Sequence, residues 1–248
     1  MVKINLDFEV NLWKEHSLIA GVDEAGRGAL AGPIVVAAVT LPTNFRSPLI
    51  QDSKILKPWQ RNRVYEIIRK NALEYSVIIK SPREVENKNP LQTTKEAMVE
   101  AVLKLKNKPN LCLVDGKEEI MIADIPTQSI IGGDRKSINI AAASIVAKVT
   151  RDAIMKNLHK KYPQYDWENN KGYPNPTHLQ AIFSHGICSL HRKTYEPIKS
   201  LVSGKVSREV LCQKYNCKIQ FFILFQSMLF FFQYLYFFSM ILSTSWRF

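Results

Sequence analysis

The sequence predicts an α/β fold, a sheet with helices packed on it. Three observations lead there. Short apolar runs rich in Val and Ile, bounded by Gly and Pro, recur along the chain and read as strands. Between them lie longer stretches with apolar residues at helical spacing. Three of the runs also end in carboxylates beside glycines: Asp23-Glu24, Asp115-Gly116 and Gly133-Asp134. In an α/β sheet, strand ends and the loops beyond them line the site.

Taken in order, residues 1–16 form a lead-in with a helical stretch at 11–16. Residues 18–22 (LIAGV) and 33–41 (PIVVAAVTL) read as strand and hairpin partner around a small-residue loop. Pro58 suits the first turn of a helix to about Asn71, with Val64, Ile67 and Ile68 on one face. Residues 74–80 (EYSVIIK) read as a third strand, and 82–90 as a loop or short helical turn. A helix follows over 91–105, with apolar residues at 91, 98, 99, 102, 103 and 105. Residues 111–114 are a buried-type strand and 127–131 a further one, closed by Gly132-Gly133-Asp134. A helix starting at Ser137 and running to Tyr162 has early turns almost wholly small and apolar, which places it against the sheet. Pro163 ends it. A loop with Tyr165, Trp167 and Tyr173 follows, then a helix over 177–185, a basic and aromatic stretch at 192–195, and a last helix over 206–215.

The 248 residues suffice for one generous domain plus an appendage. A net charge of +12 suggests a polyanionic partner, nucleic acid or an anionic membrane surface. The four cysteines form no CxxC pair and no zinc pattern, so they read as reduced thiols of a cytoplasmic protein. The mixed, charged N-terminus is not a secretory signal. The five histidines show no HxH or HExxH spacing, and DEAGRG lacks the GxxxxGK[ST] of a P-loop. Zinc hydrolases, Ser-His-Asp enzymes and P-loop phosphatases are therefore not indicated.

The carboxylates Asp23, Glu24, Asp115 and Asp134 are the candidate site. Each lies at the end of an apolar run with a Gly within two residues. Singly, Asp-Gly and Gly-Asp are common turn dipeptides, and a strand-end Asp-Glu is often just solvated. If the strand ends converge, four like charges cannot all ionise without counter-ions. Hard divalent cations with oxygen ligands, Mg²⁺ or Mn²⁺, resolve this. Two such ions about 3.5–4 Å apart would activate water and stabilise the leaving oxygen in phosphodiester hydrolysis. Gly26 and Gly28 allow a turn and a close ligand approach, and Arg27 between them can grip a phosphate. Lys54, Lys136 and Lys171 can contact phosphates or simply solvate a surface. Tyr173 can stack on a sugar or base, or pack a loop. These features predict a metal-dependent phosphodiesterase on nucleic acid, without saying which nucleic acid.

Five stretches go further: GVDEAGRGALAGPIVVAAV (21–39), DSKIL (52–56), LVDG (113–116), GDRKSINIAAASIVAKVTRD (133–152) and KGYPNPTHLQAIFSHGICSLHRKTYEP (171–197). In these motifs, spread over about 17–197, the chain closely resembles the bacterial ribonuclease HII family. The resemblance implies a ribonuclease H-like fold, a central mixed sheet flanked by helices. It also implies hydrolysis of RNA in RNA-DNA hybrids and incision 5′ of ribonucleotides embedded in duplex DNA, leaving a 3′-hydroxyl and a 5′-phosphate. The family's metal-binding carboxylates map onto Asp23, Glu24 and Asp115, with Asp134 as the fourth. Its GRG motif maps onto Gly26, Arg27 and Gly28, expected to sense the 2′-hydroxyl, and its junction-sensing tyrosine onto Tyr173. The 2′-hydroxyl is the group that separates RNA from DNA. Asp152 also falls in a matched motif, and helix packing or capping is expected of it rather than metal binding. Mn²⁺ or Mg²⁺ is the expected cofactor. A monomer without an obligatory protein partner is expected.

The resemblance fades after about 200. The expected organisation is a catalytic domain at 1–200, a basic helical extension at 201–218 and an anomalous tail at 219–248. From 219 to 242 no residue is charged and 19 of 24 are apolar; nine of the twelve phenylalanines lie in the last thirty residues. The tail is long enough to span a bilayer, which takes about 20 apolar residues. It also reads as a packed helix or partner-binding segment, or as AT-rich DNA translated past the normal end of a frame. The third reading is preferred, because the family needs no membrane anchor. Two other functions compete with the ribonuclease: a non-catalytic nucleic-acid binder, and a protein whose role is set by a membrane-tethered tail. Clustered carboxylates that repel phosphate argue against the first, and membrane fractionation separates the second.

Overall fold

The computed structural model describes residues 7–43, 45–50, 53 and 55–215. The apolar tail and Cys217 lie outside the described residues, as does Lys54. Five strands form one sheet: β1 (Ile19–Ala25), β2 (Ile34–Thr40), β3 (Glu74–Lys80), β4 (Leu111–Asp115) and β5 (Thr127–Ile130), in the order β3-β2-β1-β4-β5. The β1-β2 and β2-β3 pairs are antiparallel, and the β1-β4 and β4-β5 pairs are parallel. The sheet is thus mixed, as the resemblance implied. The fifth strand stops one residue short of the expected 131, and Ile131 is exposed.

Strand alternation divides the core. Ile19, Val35, Ala37, Val39, Leu111 and Leu113 face one way, against α1 (Asp7–Glu15), α2 (Pro58–Asn71) and the long α5 (Ile138–Lys161). Ala20, Val22, Ile34, Val36, Ala38, Cys112 and Val114 face the other way, against α4 (Pro90–Leu103). Strands buried on both faces read as continuous apolar runs, and β1, β2 and β4 do so.

The helix ends follow local chemistry. Pro58 opens α2, whose Val64 and Ile68 are buried one turn apart. The stretch at 82–90, expected as a loop or short helical turn, forms a helix of seven residues, α3 (Pro82–Lys88). Ser81 and Glu84 form a reciprocal capping box there, which stabilises a seven-residue helix. In α4 the buried face is Thr94, Ala97, Met98, Ala101 and Val102, while Leu91 and Leu103 are exposed. The small residues allow close approach to the sheet, which the apolar count alone did not show.

Helix α5 is anchored in a way the sequence did not suggest. Ser137 caps it, accepting from Ile140 N at 3.1 Å. The buried Glu9 of α1 then accepts from the Ile138 and Asn139 amides at 3.0 and 3.2 Å, from the Ser137 hydroxyl at 2.5 Å and from Asn139 Nδ2 at 3.1 Å. A carboxylate at a helix N-terminus satisfies orphan donors and the helix dipole together. Burial raises the Glu9 pKa, partly offset by these hydrogen bonds. Gly21 of β1 lies so close to this first turn that a Cβ would overlap the Asn139 carbonyl and the Ile140 nitrogen.

After α5 come two short turns of helix, at Pro163–Tyr165 and at α6 (Trp167–Asn170), then α7 (Pro176–His185), α8 (Ile198–Val202) and α9 (Arg208–Lys214). Leu211 and Cys212 of α9 pack with Leu179, Ile182 and Phe183 of α7, so the described part of the extension rests on the domain. Within the basic and aromatic stretch 192–195, Lys193 is exposed but Arg192 is fully buried. Among the described residues no helix is long and apolar enough to cross a membrane.

Candidate active site

The site forms where the parallel pair β1-β4 ends. The last registered pair is Val22 with Val114, and Asp23 and Asp115 follow on adjoining strands. Alternation sends both toward the α5 face, as for Ile19, Leu111 and Leu113. Glu24 leaves on the other side at the same strand end, and the chain turns two residues on at Gly26, which adopts φ +94°. Asp23, Glu24 and Asp115 all line one cleft of about 530 Å³, together with residues 25–28, Ser53, Ser144, Lys148 and Tyr173.

Asp23 is nearly buried, and its pKa stands well above the usual carboxylate range. Burial is the first cause, followed by the charges of Glu24 and Asp115; hydrogen bonds from Ser144 and from the Glu24 amide, at 2.6 Å, oppose it. Ser144 also bonds Ser53 at 2.9 Å. Gly133 N donates to Asp115 Oδ1 at 2.7 Å and orients that carboxylate. Asp134 sits one step behind in the turn Gly133–Arg135, buried, and is not among the residues lining the cleft.

Arg27 is half-exposed and pairs with Glu24 at 3.4 Å rather than standing alone. Gly28 has an ordinary φ, and a Cβ there would meet nothing within 4 Å. Its lack of a side chain leaves the backbone open to whatever fills the cleft. Tyr173 is half-buried; Lys148 Nζ and the Arg151 guanidinium carbon lie 5.7 and 5.1 Å from its ring centroid. Desolvation lowers the Lys148 pKa, countered by Asp152, which accepts from Lys148 at 2.7 Å. Asp152 also pairs with Arg61 at 3.5 Å, consistent with the packing role expected of it. Lys171 is occupied by the Glu168 carbonyl.

The donor chemistry of the cleft suits a hard divalent cation. All three carboxylates offer oxygen, and a buried Asp23 beside two further charges favours ionisation only when a cation compensates. Among the described residues no three such side chains are already drawn into a closed ligand set. Sequence reasoning overlooked Ser144 and Lys148. Their signal was a Ser and a Lys four apart in the otherwise apolar stretch 140–149 of the helix, which puts both on one face.

Known proteins agree with this architecture. The family model for Ribonuclease HII matches residues 20–197. A ribonuclease HII of Mycoplasma mycoides is 44% identical over 205 residues, covering 83% of this chain and 97% of that one. The crystal structure of the ribonuclease H2 from Pyrococcus horikoshii superposes with a TM-score of 0.66 at 26% identity, covering 75% of this chain and 98% of that one. The ribonuclease HII from Archaeoglobus fulgidus, solved in complex with PCNA, gives 0.63 at 29% identity, over 72% and 95% of the two chains.

Proposed function

The chain belongs to the ribonuclease HII family, ribonuclease H endonucleases that cleave the RNA strand of RNA-DNA hybrids; from that premise we propose that it also incises duplex DNA on the 5′ side of an embedded ribonucleotide, leaving a 3′-hydroxyl and a 5′-phosphate. The observation that carries this reading is the meeting of Asp23, Glu24 and Asp115 in one cleft with the Gly26 to Gly28 loop and Tyr173.

Asp23, Glu24 and Asp115 would hold Mg²⁺ or Mn²⁺, with Asp134 behind them as the fourth carboxylate. A pair of such ions supplies an activated water and neutralises charge on the leaving oxygen. The protein's own residues do the rest. Ser144 holds Asp23, and the Gly133 amide holds Asp115, so both carboxylates are oriented before substrate arrives. The open backbone at Gly28 lets the 2′-hydroxyl approach the loop closely. Arg27 can exchange its pairing with Glu24 for a phosphate oxygen. Tyr173 offers a ring to the sugar at the RNA-DNA junction, and Lys54 a further phosphate contact. We place this work in the cytoplasm, by a monomer. A PCNA complex is known for the Archaeoglobus relative, and no such partner is required for the reaction proposed here.

The test is cleavage of a DNA duplex carrying one ribonucleotide, with Mg²⁺ or Mn²⁺, by the full chain and by a chain ending at Lys218. Both should incise 5′ of the ribonucleotide. Asp115→Asn or EDTA should abolish incision, by about a thousandfold or more. Incision that survives EDTA would refute the metal site. Tight binding without incision would favour a non-catalytic binder, and loss in the shortened chain alone would give the tail a role.

A further inference from the structure

Arg151 and Arg192 are fully buried, and among the described residues neither has a carboxylate within ion-pair distance. A buried guanidinium without a counter-charge is costly unless fixed acceptors surround it. Both find those acceptors in one place, the loop from Gly26 to Pro33.

Arg151 Nε donates to the Pro33 carbonyl at 2.9 Å, and Nη2 to the Ala31 carbonyl at 3.1 Å. Nη1 has no hydrogen-bond partner. The guanidinium carbon instead lies 5.1 Å from the Tyr173 ring centroid, where the π face attracts its charge. At the other end of the loop, a Cβ on Gly26 would overlap Arg151 Nε and lie 2.6 Å from its Cδ. One side chain thus touches the start of the loop, its end, and Tyr173. Arg192 fastens the same loop elsewhere, donating to the Arg27 carbonyl at 2.9 Å and to the Gly32 carbonyl at 2.8 Å. The Gly172 carbonyl accepts from Leu30 N at 2.8 Å, so backbone also ties the tyrosine segment to the loop.

We propose that Arg151 is a positioning residue that fixes the Gly26 to Gly28 loop and the Tyr173 ring relative to each other, and so sets discrimination at the RNA-DNA junction. The second half rests on the reading of these elements as the junction sensor. The first half does not.

The test uses the full chain with Arg151→Lys, Tyr173→Leu and the double variant. Lysine keeps the charge but loses the planar fork that reaches two carbonyls at once. Hydrogen exchange should speed up together in residues 26–33 and 171–174, by about tenfold, with the β3 and α4 segments unchanged. The ratio of kcat/KM for a duplex with one ribonucleotide to that for a continuous RNA-DNA hybrid should fall by about tenfold, mainly through kcat. The double variant should lose no more than Tyr173→Leu alone, because both act through one contact. An unchanged ratio, additive losses, or faster exchange spread over the whole chain would overturn the proposal. If Arg151→Lys does not fold, Tyr173→Leu decides alone. Protection of 26–33 falls if the ring helps hold the guanidinium, and stays if Arg151 only fills space. If the wild type fails to incise at a single ribonucleotide, the proposed function fails, and the exchange result still judges Arg151.

Discussion

His178 and His191 make this domain acid-sensitive in a calculable way. Both are buried, and every ring nitrogen is engaged. The Cys188 amide donates to His191 Nδ1 at 3.1 Å, which puts the His191 proton on Nε2, 3.2 Å from His178 Nε2. Trp167 Nε1 donates to His178 Nε2 as well, at 3.0 Å, so His178 carries its proton on Nδ1 and gives it to the Tyr173 carbonyl at 3.1 Å. A further proton on either ring must displace an N–H donor. Burial lowers the His178 pKa to about 4 and, with the neighbouring His178, the His191 pKa to about 3. Folded values below the unfolded 6.5 mean that the stabilisation is full above pH 6.5 and is lost as pH falls toward the folded values. Between pH 6 and pH 5 the unfolded chain holds roughly 1.5 to 1.9 protons on these two rings that the native state refuses, a loss of roughly 2.4 kcal/mol. Urea unfolding at pH 7, 6 and 5 measures it. His191→Gln, which can still donate to His178, should reduce the loss across that interval by roughly 1.2 kcal/mol. Identical pH slopes for wild type and variant would refute the assignment of buried, neutral rings.

Two further outcomes follow from the anchoring of α5. Gly21→Ala should cost more than about 3 kcal/mol and reduce cleavage, because the new Cβ meets backbone that cannot swing aside; a Tm within about 3 °C of wild type would contradict this packing. Glu9→Ala should cost about 2–3 kcal/mol in urea unfolding, since it strands the Ile138 and Asn139 amides at a buried helix end. A loss under about 1 kcal/mol would mean that water reaches that turn.

Local pattern was enough for most elements. The strand at 74–80 and the helix at 58–71 have the bounds their residues suggest, because alternation, Pro58 and the β-branched run act within a few residues. The strand-end carboxylates were equally legible, since each marks where an apolar run stops. The extent of α3 was not, because seven residues are too few for apolar periodicity to show; its local signal was the Ser81-x-x-Glu84 capping spacing ahead of Pro82.

The sequence by itself determined that apolar runs end in Asp23-Glu24 and Asp115, and that small-residue helix 137–162 lies on a sheet. Only the tertiary structure decided which strands meet. Pairing β1 with β4, about ninety residues on, is what brings Asp23 beside Asp115 and leaves Asp134 a step behind. It also decided which cations are buried. Arg151 and Arg192 look like their exposed neighbours in composition, yet they sit inside because the Gly26 to Pro33 loop offers them carbonyls. Periodicity acts between neighbours in the chain, whereas acceptors for a buried charge come from wherever the fold carries the backbone.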